Sequence, residues 1–440
     1  MVPGDIFRLD VADADVRQEI RAGAATFMTM AYIIVVNPHI LAAAGMPTDA
    51  VMMATCLAAA LGCFLMGLLT NYPFALAPGM GLNAFFAYTV VVGMGLSWQG
   101  ALAAVFISGA CFFVLTLLRV REAIVNAIPA SLKASISVGI GFFIALIGLK
   151  NAGIIVFNPG TGSLGMVRAE LLPAGASLHS VYLALFGLAL TGTLVVRKVT
   201  GALLWGILGT FLAAVPLGLV QGDELAFVAL PSGLSKTFMA LDFGVLFDYG
   251  LLTVIFTFFF VDLFDTAGTL VGLSSKTGML DQQGHLPRAK QALMADSVAT
   301  MAGATLGTSS TTTYIESAAG VAEGGRTGLT AITTGLLFLL ALFFFPLVQQ
   351  IPPAATAPVL VIVGIFMMEP VTRIDFSNFL EAIPAFFTIA MMPLAFSIAD
   401  GIVAGILSYT FLRAASGRWR EVGLALWLLS ALFILRFFLL

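Results

Sequence analysis

Residues 307–325 read GTSSTTTYIESAAGVAEGG. Every residue from Thr308 to Tyr314 carries a hydroxyl, and a carboxylate, Glu316, follows one position after Ile315. The flanking sequence is strongly apolar. A run of Ser and β-branched Thr disfavours helix, whereas SAAGVA favours it. The stretch therefore predicts a short strand followed by a half-helix that begins near Glu316.

A second stretch has the same character. In YPFALAPGMGLNAFF, residues 72–86, Pro73 and Pro78 remove backbone donors and Gly79 and Gly81 weaken helix. FALAP is expected to be extended, and helix to begin near Gly81 and run on through NAFFAYTVVV. Each stretch ends in small residues and one polar side chain, Asn83 or Glu316.

The surroundings are those of a membrane protein. Of 440 residues, 60% are hydrophobic and 10% charged, against about 25% charged in a soluble domain. Many segments exceed the roughly 18 apolar residues that suggest a span. The net charge of −3 gives no sign of nucleic acid binding. Cys56, Cys63 and Cys111 lie in apolar segments without metal-ligand spacing and are expected to be small buried hydrophobes. His39, His179 and His285 are expected at interfaces. Walker A, HExxH and GxSxG patterns are missing from the sequence, so no enzyme, cofactor or metal is expected.

Apolar segments fall at 23–43, 50–71, 76–93, 98–118, 134–149, 179–196 and 199–220, and again at 248–273, 290–306, 308–324, 328–348, 354–369, 381–397 and 399–413. Residues 1–22 are expected as a cytoplasmic amphipathic N-terminus, with helix over 6–21, and 422–440 as a C-terminal hydrophobic segment. With the N-terminus inside, most of the 20 Lys and Arg residues fall on the cytoplasmic side; Lys150, Arg168, Lys236 and Arg436 do not. Seven is odd, so a second set of seven spans has inverted topology, a recurring transporter design. GALLWGILGTF (201–211) and GIVAGILSYTF (401–411) are weakly similar, as such a repeat requires. The expected fold is an all-α polytopic membrane protein with fourteen transmembrane segments in two inverted repeats, and with short strands in broken spans three and ten.

Irregular backbone at membrane depth is tolerated where it is buried in protein or lines a cavity. Paired breaks in inverted halves point to a binding site near the midplane, where half-helix N-termini offer backbone donors. Ionisable groups within spans are functional candidates. These are Glu316, and Asp262 and Asp265 in FTFFFVDLFDTAGTLVG, on one helical face by their spacing of three and followed by Thr266 and Thr269. Asp262 has a strong structural alternative as a hydrogen-bonding partner of a neighbouring helix. Thr29, Ala31 and Tyr32 in the first span are weaker candidates. Asn37 precedes Pro38 and can serve the kink there, and Asp296 lies near the start of the ninth span.

TFMTMAYIIVVNPHIL, FALAPGMGLNAFFAY, DLFDTAGTLVG and GTSSTTTYIESAAGVAEGGRTGLTA together resemble the AzgA-like purine permeases of the nucleobase–ascorbate transporter superfamily, relatives of the uracil permeases. The resemblance runs from Thr26 to about Leu412. It implies a core domain of spans 1–4 and 8–11 (23–120 and 248–348) and a gate domain of spans 5–7 and 12–14 (121–220 and 354–413). It implies import of adenine, guanine or hypoxanthine with protons across the plasma membrane, and relatives often form homodimers through the gate domain. Asp265 and Glu316 match the binding glutamates of the uracil permeases, and Asn83 takes a third hydrogen-bonding role. Gly81, Thr269, Thr29, Ala31 and Thr313 complete the expected substrate site, with Asp262, Asn37 and Ser317 as secondary candidates. Thr269 stands where the uracil permeases have a histidine, so coupling is expected through Asp265 or Glu316. Phe259, Phe260 and Phe264 are candidates to cover the base. A same-fold uracil or xanthine transporter and an anion exchanger are the alternatives, the latter opposed by the intramembrane acids.

Overall fold

The computed structural model describes residues 7, 9, 14–118, 129–158, 163–167, 177–220, 227–244, 254–255, 257–263, 266, 269–270, 273–274, 279 and 286–439. Among them, eight helices are long and apolar enough to cross a membrane, and the shorter apolar helices include Met80–Gly93, Ala202–Ala214 and Phe379–Leu394. The chain is a mostly helical, multi-pass membrane protein.

The first span is two helices, α1 (Val16–Met30) and α2 (Ile33–Ala42), separated at Ala31–Tyr32. α3 (Thr48–Thr70) ends at Asn71 in left-handed conformation. β1 (Leu76–Pro78) and α4 (Met80–Ala84) follow, the latter continued by a π-helix over Phe85–Gly93. α5 is Trp98–Leu117 and α6 is Ala130–Asn151. A hairpin of β2 (Ile155–Asn158) and β3 (Ser163–Met166) precedes α7 (Leu178–Val196) and α8 (Ala202–Ala214).

In the second half, the described residues between 254 and 274 are helical. α9 (Ala289–Leu306) leads through Gly307, at φ +102°, into β4 (Thr311–Thr313) and α10 (Ser317–Ala322). α11 (Gly328–Ala341), α12 (Phe345–Gln350), α13 (Pro353–Met367), α14 (Phe379–Leu394) and α15 (Ile398–Ala415) follow. α16 (Leu424–Leu439) packs on α15, where Ser430 donates to Thr410 Oγ1 at 2.9 Å.

Two sets of helices pack mainly among themselves. One joins α1, α3, α5, α9, α10 and α11; the other joins α6, α7, α8, α13, α14 and α15. Lipid tails are as apolar as leucine, so close packing through small residues holds such bundles. A Cβ at Gly364 would lie 2.8 Å from Ala145 Cβ, and one at Gly148 2.9 Å from Leu360 Cβ, so α6 and α13 approach backbone to backbone.

The N-terminal helix is anchored to the bundle through one buried residue of its first turn. Val16–Met30 is one helix, and Glu19 within it is fully buried. Its carboxylate accepts from the backbone N–H groups of Arg326 (2.8 Å), Thr327 (3.2 Å) and Thr330 (3.2 Å), and from Thr330 Oγ1 (2.6 Å). A helix start carries unpaired N–H groups and a positive dipole end. Glu19 supplies the acceptor for α11 and pins α1 to it, while Val16, Arg17, Gln18, Ile20 and Arg21 around it stay exposed.

Candidate functional site

β1 and β4 pair antiparallel, Leu76 with Thr313, Ala77 with Thr312 and Pro78 with Thr311. The pairing brings the two broken segments together, strand against strand, with a half-helix leaving each. Flanking bonds extend it: Gly79 N–H donates to Ser310 O (2.9 Å) and Tyr314 N–H to Ala75 O (3.0 Å). Ala75 N–H donates to Ser317 Oγ at 2.9 Å, so this secondary candidate secures the strand. Asn83 and Glu316 therefore belong to opposite ends of the strand pair.

Register decides which strand side chains face which neighbour, because the side-chain period is two. A Cβ at Gly62 of α3 would lie 2.9 Å from Leu76 Cβ, and one at Gly303 of α9 2.9 Å from Thr311 Oγ1. Thr311 and Thr313, paired with Pro78 and Leu76, thus share the α3–α9 side. Thr312 faces the other way, its Oγ1 2.9 Å from Thr266 Oγ1 in the eighth segment. The hydroxyl directed toward the eighth segment is therefore that of Thr312, while Thr313, the expected site residue, is on the α3–α9 side. Alternation along TTT carries this information only once a neighbouring face is known.

Glu316 sits at the start of α10, on the wall of a cavity of about 300 Å³. Thr29, Ile315, Ala318 and Ala319 line the same side, and Lys198, Thr200, Leu203 and Phe366 the opposite side. Tyr32, buried at the interruption between α1 and α2, donates its hydroxyl to Glu316 Oε1 at 2.8 Å. Thr29 Oγ1 lies 3.4 Å from the Glu316 carbonyl, and 2.8 Å from that of Thr26. Ala31 is buried beside Tyr32, its N–H on Phe27 O at 2.7 Å. The structure thus gathers Thr29, Ala31, Tyr32 and Glu316.

Asn83, fully buried in α4, accepts a hydrogen bond on Oδ1 from Ser309, while its Nδ2 meets no partner among the described residues. Gly81, one helical step earlier, is a contact with the second helix set. A Cβ there would lie 2.7 Å from Ile140 Cγ2 of α6.

The other candidates are arranged differently. Asp262 is fully buried, with Oδ1 3.5 Å from Thr266 Oγ1. Thr266 also contacts both carboxylate oxygens of buried Asp296, at 3.0 and 3.2 Å. Thr312, Thr266 and Asp296 thus tie β4 to the eighth and ninth segments. Sequence reading placed Asp296 only near a span end; its spacing in the chain gives no hint of Thr266. Asn37 donates to Thr55 (2.7 Å) and Thr308 (2.9 Å), a strut from α2 to α3 and the β4 approach. Asp265 and Phe264 lie outside the described residues, and Thr269 is partly exposed. Phe259 stacks on Phe112 of α5 at 4.5 Å and meets Phe260 edge-on at 5.3 Å, so its ring is engaged within the bundle. Cys56 and Cys63 are buried, but Cys111 is exposed on an outward apolar groove with Phe106 and Phe243, contrary to expectation. His39 bridges Val35 O (2.7 Å) and Ile351 O (3.0 Å), a tighter setting than the interfacial one expected.

Comparison with known proteins bears on this arrangement. Residues 17–404 match a family model described as a permease family, Xan_ur_permease. The chain is 44% identical to the adenine permease AdeP of Escherichia coli over 98% of its length and 95% of that protein's. It is 45% identical to the guanine/hypoxanthine permease PbuG of Bacillus subtilis, over 98% of each. Among solved structures it superposes on the transmembrane domain of a cyanobacterial bicarbonate transporter, BicA, with a TM-score of 0.67 at 15% identity, covering 88% of this chain and 97% of that one. At that identity the likeness is one of fold.

Proposed function

We propose that this chain, which belongs to the xanthine/uracil permease family, imports purine nucleobases across the membrane by secondary active transport. It is a transporter and not an enzyme. Adenine, guanine and hypoxanthine are the substrate class, as the adenine and guanine/hypoxanthine permeases similar to it suggest.

The observation that carries the reading to the residues is Glu316, a carboxylate on a cavity wall at the start of a half-helix. A purine presents ring N–H donors, ring-nitrogen acceptors and an exocyclic oxo or amino group. A carboxylate accepts N–H bonds and is poorly suited to an anion. Asn83, its Oδ1 taken by Ser309, has a donor that no described residue occupies, left for a ring nitrogen or oxo group. Asp265 is the second acid of the site, with Gly81, Thr269, Thr29, Ala31 and Thr313 as surrounding candidates.

The architecture is read as fourteen spans in two inverted sevens. The antiparallel pairing of β1 with β4 supports inversion, since equivalent strands of inverted halves run oppositely. The set containing α1, α3, α5, α9, α10 and α11 is the core domain, and the set containing α6–α8 and α13–α15 the gate domain. The Glu316 cavity, with α10 on one side and the α7–α8 turn on the other, lies between them. Core moves against gate in alternating access, with the N-terminus cytoplasmic in the plasma membrane. A homodimer through the gate would cover exposed Phe379, Phe386 and Leu394 of α14.

Import is coupled to protons through Asp265 or Glu316. Uptake of radiolabelled hypoxanthine, guanine and adenine, with and without a protonophore, tests both parts. Saturable uptake that collapses with the proton gradient is expected. Absence of purine uptake overturns the substrate reading, and uptake indifferent to the protonophore overturns the coupling.

A further inference from the structure

We infer that Tyr32 is a positioning residue for substrate: its hydroxyl orients the Glu316 carboxylate toward the cavity. The inference rests on the proposed function and goes beyond it, to a residue whose part is to hold the binding acid.

The geometry is specific. Tyr32 is 1% exposed, so its hydroxyl needs a partner within the protein, and it donates to Glu316 Oε1 at 2.8 Å. The chain is interrupted at Ala31–Tyr32, where α1 stops and α2 restarts. There the backbone tightens: Ile34 N–H bonds Ala31 O (3.2 Å) and Val35 N–H bonds Tyr32 O (3.1 Å). A break at a tyrosine that reaches the acid ties the first span to the tenth. Thr29, one turn earlier, approaches the Glu316 carbonyl at 3.4 Å, so the same face of the first span meets both ends of the residue.

The chemistry follows from counting acceptor sites. A carboxylate has about four lone-pair sites. Tyr32 takes one and fixes the carboxylate plane, and the remaining sites are left for N–H donors of a base in the cavity. A charge-assisted hydrogen bond is short and directional, so it suits an orienting role. Without it the carboxylate can rotate, and the base meets a disordered acceptor. The cost falls on substrate binding more than on turnover.

The test is Tyr32→Phe, which keeps the ring and removes only the hydroxyl. In cells taking up labelled hypoxanthine or adenine, KM is expected to rise about ten-fold with Vmax within about two-fold, the size of one hydrogen bond to a charged group. The pH profile of uptake is expected to move, and the thermal midpoint of the purified protein to stay. Wild-type KM and pH profile in Y32F overturn the inference, as does a fall in Vmax at unchanged KM. If Y32F does not reach the membrane, Glu316→Asp draws the carboxylate away from the same hydroxyl; a wild-type KM in that variant overturns the inference. If the wild-type chain itself takes up no purine, the proposed function fails, which separates the two outcomes.

Discussion

Ser309 donates its hydroxyl to Asn83 Oδ1, joining the strand approach of the tenth segment to the half-helix of the third. The nitrogen of the amide so held is buried and meets no partner among the described residues. A buried donor left unpaired costs about 1–3 kcal/mol, which a ligand acceptor would recover.

Ser309→Ala should therefore weaken substrate binding by letting the Asn83 amide turn. We expect KM for purine uptake to rise about three- to ten-fold, the size of one lost hydrogen bond, with the protein folded and in the membrane. Initial-rate uptake over a substrate series checks this. Unchanged KM would mean that the Asn83 donor does not meet substrate.

Gly81 separates a packing role from a binding one. A side chain there meets Ile140 of α6, with Cβ 2.7 Å from Cγ2. Gly81→Val should impair transport by holding α4 off the opposing helix set. Pairing it with Ile140→Ala should restore a measurable part of the rate, because the clash is with that side chain. If the double variant transports no better than G81V alone, the small residue serves the ligand and not the approach of the two helix sets.

Glu19 is the site of a stability prediction. Glu19→Ala removes the acceptor of three backbone N–H groups and one hydroxyl at the start of α11. The expected loss is about 2–4 kcal/mol, from unsatisfied buried donors together with a lost helix cap. Thermal unfolding in detergent would show a clearly lowered midpoint. Glu19→Gln, which keeps the acceptor oxygen and loses the charge, should lie between wild type and alanine.

The two broken segments were legible because their signals are local. Pro73, Pro78 and the hydroxyl run act on their own backbone, and the strands Leu76–Pro78 and Thr311–Thr313 lie where those residues put them. Glu316 was legible because a carboxylate in an apolar segment is costly without a purpose. What the sequence could not show is long-range pairing. Tyr32 looked like one of several mid-span polar residues until its hydroxyl met a residue 284 positions away. Thr312 and Thr313 are indistinguishable until the register against β1 is known. Glu19 stands in a mixed-charge stretch with nothing local to mark it, because the helix start it caps lies more than 300 residues downstream. Asp296 shows in the sequence only as an acid near a span start, because its partner Thr266 stands on another segment.

The most direct test of purine recognition at Glu316 is ligand-induced thermal stabilisation of the purified protein. Hypoxanthine, guanine, adenine and uracil would be compared on wild type and Glu316→Gln. The account predicts that at least one purine raises the wild-type midpoint in a saturable manner, that uracil does not, and that the effect disappears in E316Q. Stabilisation by uracil alone, or purine stabilisation that persists in E316Q, would contradict it.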